Sequence, residues 1–163
     1  MTAVASKPLH IRRAVRDDLP GILAIERASF SDPWTEESFL TALDLNRMQL
    51  LVAETPASES GDGASALAGY VVALVIGSEA EIADLAVAAD WRRRGIGQAL
   101  LTRSIAELAA AGVRTLYLEV RESNRAARTL YESNGFRSVG RRRGYYRQPV
   151  EDALLLRREI GTS

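Results

Sequence analysis

The chain has 163 residues, 47% of them apolar and 26% charged, which suits one domain with a buried core and argues against global disorder. Its 21 Lys and Arg balance 21 Asp and Glu, so no surface-wide positive field directs it to nucleic acid or an anionic membrane. There is no cysteine and His10 is the one histidine, which excludes disulfides and a thiol nucleophile, leaves a zinc site only carboxylates, and gives a Ser-His-Asp triad a single possible base.

No run approaches the ~20 apolar residues of a membrane span. The opening MTAVASKPLH has no secretory apolar core, so a soluble cytoplasmic protein is expected. Residues 1–9 read as a flexible leader, 10–160 as one domain and 161–163 as a tail. His10 to Val15 makes a short strand. Asp17 or Asp18 then caps a helix with Pro20 in its first turn and a partial stripe of Ile22, Leu23, Ile25 and Phe30. Ser31-Asp32-Pro33-Trp34-Thr35 breaks it. Thr35 caps a second helix whose first turn holds Glu36 and Glu37, favourable at the positive end of the dipole, and which continues through Phe39, Leu40, Leu43 and Leu45.

Met48 to Ala53 is strand-like. Residues 54–66 contain no large apolar side chain and read as a mobile hairpin loop. Leu67 to Ile76 and Glu79 to Val87, separated by Gly77-Ser78, form two antiparallel strands. A helix with Leu100, Leu101, Ile105, Leu108 and Ala109 on one side then runs to a stop at Gly112. A strand from Arg114 to Val120, a helix from Asn124 to Ser133, and strands over Phe136–Arg147 and Ala153–Ile160 complete an α/β chain. Its order is β-α-α-β-β-β-α-β-α-β-β.

The chemistry begins at Arg92-Arg93-Arg94-Gly95-Ile96-Gly97, where a strand gives way to a helix. Glycines let the backbone approach a ligand, the helix N-terminus adds about half a positive charge, and the arginines add more. Together they suit a pyrophosphate. A solvated basic turn with ordinary turn glycines is the alternative. A dinucleotide loop needs a third glycine where Leu100 stands, and a Walker loop needs Gly-Lys-Ser/Thr, so hydride and phosphoryl transfer are not indicated.

The run Ala80 to Val87 followed by Trp91 to Gly97 resembles the acetyl-CoA signature of the GCN5-related N-acetyltransferase (GNAT) family, whose Arg/Gln-x-x-Gly-x-Gly/Ala loop is matched by Arg92, Gly95 and Gly97. Leu116 to Arg121, Ser123-Asn124 and Leu130 to Phe136 follow the family order. The resemblance runs from about Ile11 to Ile160, apart from the 54–66 loop. Pro33-Trp34-Thr35, Leu118-Glu119-Val120-Arg121, Gly144-Tyr145-Tyr146 and Glu151-Asp152-Ala153 are similar to the family's bacterial ribosomal-protein-alanine N-acetyltransferases.

That resemblance implies a mixed sheet splayed near Val87, acetyl-CoA as co-substrate, no metal, and direct transfer to the N-terminal alanine of a ribosomal protein. It implies Glu119 as general base and Tyr131 as general acid. Leu85, Ala86 and Val87 are expected to align with the pantetheine arm. Arg93, Arg94, Gly95, Ile96, Gly97 and Gln98 are expected to hold the pyrophosphate, and Asn124 to reach the cofactor. Trp34, Glu81, Tyr145, Tyr146 and Asp152 are expected to shape the acceptor site.

The residues have readings of their own. Glu119 shares a strand face with Tyr117, opposite Leu116, Leu118 and Val120, and a carboxylate there is costly to bury without a partner or purpose. It can instead sit at a solvated strand end or pair with Arg121. Tyr131 can be a core aromatic and Asn124 an N-cap. Glu81 and Asp84 have opposite parity on a regular strand, and Arg141-Arg142-Arg143 reads as solvated. Alternative functions are acetylation of a small-molecule amine or of other protein N-termini, and a non-catalytic CoA- or RNA-binding module.

Overall fold

The structure is a computed structural model that describes residues 9–55 and 66–161. Its elements are β1 (His10–Arg13), α1 (Leu19–Ser29), α2 (Glu36–Asp44), β2 (Met48–Glu54), β3 (Leu67–Ile76), β4 (Glu79–Val87), α3 (Ile96–Ala110), β5 (Thr115–Arg121), α4 (Arg125–Ser133), β6 (Arg137–Arg147) and β7 (Val150–Glu159). The order agrees with the sequence reading. Two short 3₁₀ turns, Arg16–Asp18 and Ala89–Trp91, are additions. Residues 1–8 of the expected leader, 56–65 of the expected loop and 162–163 of the expected tail lie outside the described residues. At the loop's two ends Glu54 completes β2, and Thr55 is joined to Ala66 by backbone and side-chain hydrogen bonds. Leu9, assigned to the leader, packs on the core.

The seven strands form one sheet in the order β1-β2-β3-β4-β5-β7-β6, with β4–β5 the single parallel pair. β2 and β3 are apolar on both faces, as central strands covered by helices on both sides must be. Leu51, Ala53, Val71 and Ala73 enter one core with Leu100, Leu101 and Leu108 of α3. Leu50, Val52, Tyr70 and Val72 enter the other, with Ile22 of α1 and Phe39 of α2. Phe39 is fully buried, a contribution of roughly 1.5–3 kcal/mol.

Thr35 caps α2 as expected, accepting the Ser38 N–H at 3.2 Å. Asp18 stands at the N-cap position of α1 without capping it. Its carboxylate accepts Arg12 through two bonds of 2.8 Å and the Val15 N–H at 2.8 Å, so it ties β1 to the first turn.

β4 and β5 pair only from Glu79↔Thr115 to Ile82↔Leu118. Beyond that β4 stays with β3 as far as Gly69↔Val87, while β5 stays with β7 as far as Arg121↔Ala153. The sheet therefore opens along the second half of β4. On the paired side of this stretch Gly69 of β3 is required, because a Cβ there would stand 2.7 Å from the Ala86 carbonyl oxygen. The register also slips by one residue opposite Val72 and Ala73, making Ala83 the extra residue of a β-bulge.

Candidate active site

The opening is flanked by the loop between β4 and α3. Arg93 and Gly95 both adopt left-handed backbone, at φ 62° and 79°, and no side chain among the described residues caps the α3 N-terminus. Left-handed residues next to an uncapped helix start create a concave set of N–H donors that suits an anion. A Cβ on Gly97 would meet Leu130 of α4 at 3.4 Å and Val87 at 3.7 Å, ordinary contacts, so the protein's own packing does not demand glycine there. Bare backbone at that point fits a ligand passing close by. Arg92 donates from Nε to the Val87 carbonyl at 3.2 Å, and the Arg94 guanidinium lies 4.8 Å from the Trp91 ring centroid.

Two of the expected cofactor residues have their side chains engaged inside the protein. Gln98 forms a reciprocal amide pair with Asn134, at 2.7 and 2.8 Å, joining α3 to the end of α4. Asn124 caps α4, its Oδ1 accepting the Ala127 N–H at 3.1 Å. Ile96 is buried in the core. Gln98 and Ile96 can thus offer a ligand their backbone, while Asn124 retains its side-chain N–H donors. Leu85, Ala86 and Val87 lie on the stretch of β4 that has no β5 partner.

The two expected catalytic groups come from β5 and α4. Glu119 is on the face of β5 opposite buried Leu116, Leu118 and Val120, as strand parity requires. Its side chain is 12% exposed, and Oε1 receives Arg142 Nε at 2.8 Å. The Tyr145 hydroxyl lies beside the same carboxylate, which raises its pKa. Neither the solvated strand end nor the Arg121 pair describes it. Arg121 goes to Glu151 at 3.4 Å and stacks over Tyr146 at 4.3 Å. Nor is the Arg141-Arg142-Arg143 run simply solvated, since Arg141 also binds Glu122 and Asp152 at 2.7 and 2.9 Å.

Tyr131 is buried and meets Phe136 edge to face at 5.6 Å. Burial pushes its phenol pKa far up, with Tyr146 nearby acting in the same direction. Tyr146 sits beside Tyr145 at 5.1 Å, and burial and the Glu119 charge push it up to about 12. Partial desolvation and the Glu119 charge also raise Glu81. Asp152 is engaged in the β6–β7 hairpin, where Oδ1 accepts the Gly144 N–H at 2.9 Å and Oδ2 meets Arg141, which hold its pKa down.

Trp34 stands on the α1–α2 loop with its ring 5.2 Å from Phe39. Its backbone N–H donates to Glu26 Oε1 at 2.9 Å. In the same loop the Ser31 hydroxyl donates to the Gln148 carbonyl at 2.6 Å, fastening the loop to the β6–β7 hairpin.

A buried group of Glu26, Tyr70 and Asp84 was not foreseen. The bulge at Ala83 cancels the parity difference between Glu81 and Asp84. Glu81 lies opposite Leu74 and Asp84 opposite Val72, so both lie on the face that carries α1 and α2. The available signal was Glu26 itself, four residues after Ile22 in an otherwise apolar helical stripe.

The structure thus brings an opened parallel pair next to a glycine-containing loop at a helix start, with a carboxylate on β5 and a phenol on α4. The sequence profile of the acetyltransferase (GNAT) family matches residues 19–136, and the chain belongs to that family. It is 36% identical over 141 residues, 85% of this chain and 89% of the other, to the [ribosomal protein bS18]-alanine N-acetyltransferase of Escherichia coli (strain K12). The crystal structure of the ribosomal-protein-S18-alanine N-acetyltransferase from Escherichia coli superposes with a TM-score of 0.81 and 34% identity, covering 96% of each chain. The N-alpha-acetyltransferase RimI of Mycobacterium tuberculosis is 33% identical over 162 residues, 96% of each chain. Arabidopsis thaliana NAA60, crystallised with acetyl-CoA, shares the fold at a TM-score of 0.82 and 23% identity, over 94% of this chain and 99% of that one.

Proposed function

We propose that the protein transfers the acetyl group of acetyl-CoA to the α-amine of an N-terminal alanine, on a ribosomal protein made in the same cytoplasm. The observation that carries this is the meeting of three features at the sheet opening: the unpaired edge of β4, the nest-like loop at α3, and Glu119 with Tyr131 on the adjoining elements. The relatives' activities point to the acceptor.

The unpaired β4 edge from Leu85 to Val87 takes the pantetheine arm, and the Val87 N–H polarises the thioester carbonyl. Backbone N–H groups from Arg93 to Gln98 hold the pyrophosphate, with Arg93 and Arg94 adding positive charge and Asn124 donating from the start of α4. Glu119 receives the proton of the attacking amine. Arg142 and Tyr145 fix that carboxylate in place, and Glu81 assists beside it. Tyr131 returns a proton to the sulfur. Its raised pKa keeps the phenol protonated at neutral pH. The desolvation that raises it also makes a thiolate formed alongside a stronger base, so donor and acceptor stay matched. Trp34 and the two tyrosines of β6 wall the acceptor groove, and Asp152 holds the hairpin that carries them.

Turnover with an alanine-starting ribosomal-protein peptide, compared with small-molecule amines and with peptides of other first residues, tests the reading. Mass spectrometry of ribosomal-protein N-termini after gene deletion tests it in the cell. Preference for a small amine, or binding of CoA without turnover, would refute it.

A further inference from the structure

Glu26, Tyr70 and Asp84 have no part in the transfer just described, yet three elements bring them together. Glu26 of α1 is 1% exposed and Tyr70 of β3 is fully buried. The β4 bulge turns Asp84 towards them. Both oxygens of Glu26 have donors: Oε1 accepts the Trp34 N–H at 2.9 Å, and Oε2 accepts the Tyr70 hydroxyl. Asp84 lies beside the Glu26 carboxyl and the Leu85 N–H. Its Oδ2 is sealed from solvent and meets no donor among the described residues.

Two ionised carboxylates cannot hydrogen-bond each other, because neither has a proton to give. A proton on Asp84 makes it a donor to Glu26 and removes the unpartnered atom. Burial, the contact with Glu26 and the Glu26 charge all act in that direction on Asp84.

We infer that a neutral Asp84, Glu26 and Tyr70 form a positioning triad for the acceptor groove, in which Asp84 donates to Glu26 and Glu26 holds the Trp34 amide, setting the α1–α2 loop against the opened edge of β4. The inference rests on the placement of Trp34 in the acceptor wall. A packing route runs alongside the hydrogen bonds, from Trp34 to Phe39 at 5.2 Å and from Phe39 to Tyr70 at 5.6 Å. The loop's other anchor, Ser31 on Gln148, ties it to the opposite wall, so the position of Trp34 sets the width of the groove.

The test uses the full chain, an alanine-starting peptide and acetyl-CoA, comparing Trp34→Ala, Glu26→Gln, Tyr70→Phe and Asp84→Asn. Asp84→Asn places an N–H where the acid O–H stands, so its kcat and acceptor KM stay within about twofold of wild type. Glu26→Gln turns one accepting oxygen into a donor and loses either Trp34 or Tyr70. Its acceptor KM rises about tenfold, with kcat and the acetyl-CoA Kd little changed, the pattern of lost ground-state positioning. Infrared difference spectra at neutral pH show a neutral carboxylic acid in the wild type that Asp84→Asn lacks.

If Glu26→Gln fails to fold, Tyr70→Phe, which deletes one hydroxyl, carries the test with a KM rise of about threefold. Inactivation by Asp84→Asn, or a loss of acetyl-CoA affinity as large as the KM rise, overturns the triad. So does a raised KM in Trp34→Ala alongside wild-type KM in Glu26→Gln and Tyr70→Phe. Wild-type KM in Trp34→Ala overturns the acceptor wall itself, and the triad with it.

Discussion

Glu119→Gln separates a base from an ion-pair partner. The substitution keeps shape and one accepting oxygen but cannot take a proton. Arg142, whose Nε lies 2.8 Å from Glu119 Oε1, has a side chain 59% exposed, so the pair stands at a solvated boundary. Such pairs are worth roughly 0.2–1 kcal/mol, which can change a rate by about fivefold at most. Loss of a general base typically lowers kcat ~10²–10⁴-fold. The two accounts therefore differ by more than an order of magnitude. Initial rates of thiol release with an alanine-starting peptide give kcat, and calorimetry gives the acetyl-CoA affinity, which should not change. The acidic limb of kcat/KM should also flatten. The acceptor amine titrates near pH 8 in model peptides, so a peptide with a lower-pKa amine must be run in parallel. A kcat within about fivefold of wild type would refute the base assignment. If Glu81→Gln alone lost activity, the base would be on β4.

Tyr131→Phe keeps the ring packed on Phe136 and removes the proton donor, so kcat should fall by ~10²–10⁴ with acetyl-CoA affinity unchanged; wild-type turnover would remove the acid role. Gly97→Glu should weaken acetyl-CoA binding at least about fivefold by calorimetry, since a charge about 4 Å from a phosphate costs on the order of 1–4 kcal/mol between bulk water and a protein surface. The nearest atom to a Cβ there is 3.4 Å away, so the fold should survive, and unchanged affinity would take the loop out of the cofactor site. Asp18→Asn should cost about 2 kcal/mol in denaturant titrations near neutral pH, because Asp18 accepts charge-assisted bonds from Arg12. Burial alone would raise the Asp18 pKa, but the Arg12 and Val15 bonds bring it below its usual value. Its stabilisation is therefore present above the unfolded-state pKa and lost as the pH falls through the lower folded value, below about pH 4. An equal loss at neutral and strongly acid pH would contradict that origin.

How much of this could be read without coordinates depends on whether a residue's role is local. Thr35 as a cap, Gly112 as a stop at φ 96°, and the glycine-arginine turn before α3 all follow from interactions within a few residues, and all were legible. So was the placement of Glu119 and Tyr117 opposite three apolar neighbours, because β5 is a regular strand. β4 is not regular. Its period of two holds to Ile82 and resumes one residue out of step, so a parity argument assigned Glu81 and Asp84 to opposite faces when they share one. No residue in Ile82-Ala83-Asp84 announces a bulge; it follows from how β4 pairs with β3. The arginines of β6 are exposed, as expected of a solvated run, but their partners were not legible for a similar reason. Arg141 and Arg142 look like a solvated run until β6 folds over β7 and brings them to Glu122, Asp152 and Glu119.

The same slip that misled the pattern also organises the site. Where the register shifts, β4 stops following β5 while keeping its bonds to β3, and one edge of Leu85 to Val87 is left without a strand partner. The slip simultaneously turns Asp84 inward to Glu26, which accepts the Trp34 amide on one oxygen and the Tyr70 hydroxyl on the other. A single extra residue thus coincides with the unpaired edge on one side of β4 and with the Asp84–Glu26 contact on its α1–α2 face. Deleting Ala83 would remove the extra residue and leave Glu81 and Asp84 two positions apart on one face of a regular strand, so it would test the bulge's part in opening the β4 edge with Asp84 still on the Glu26 side.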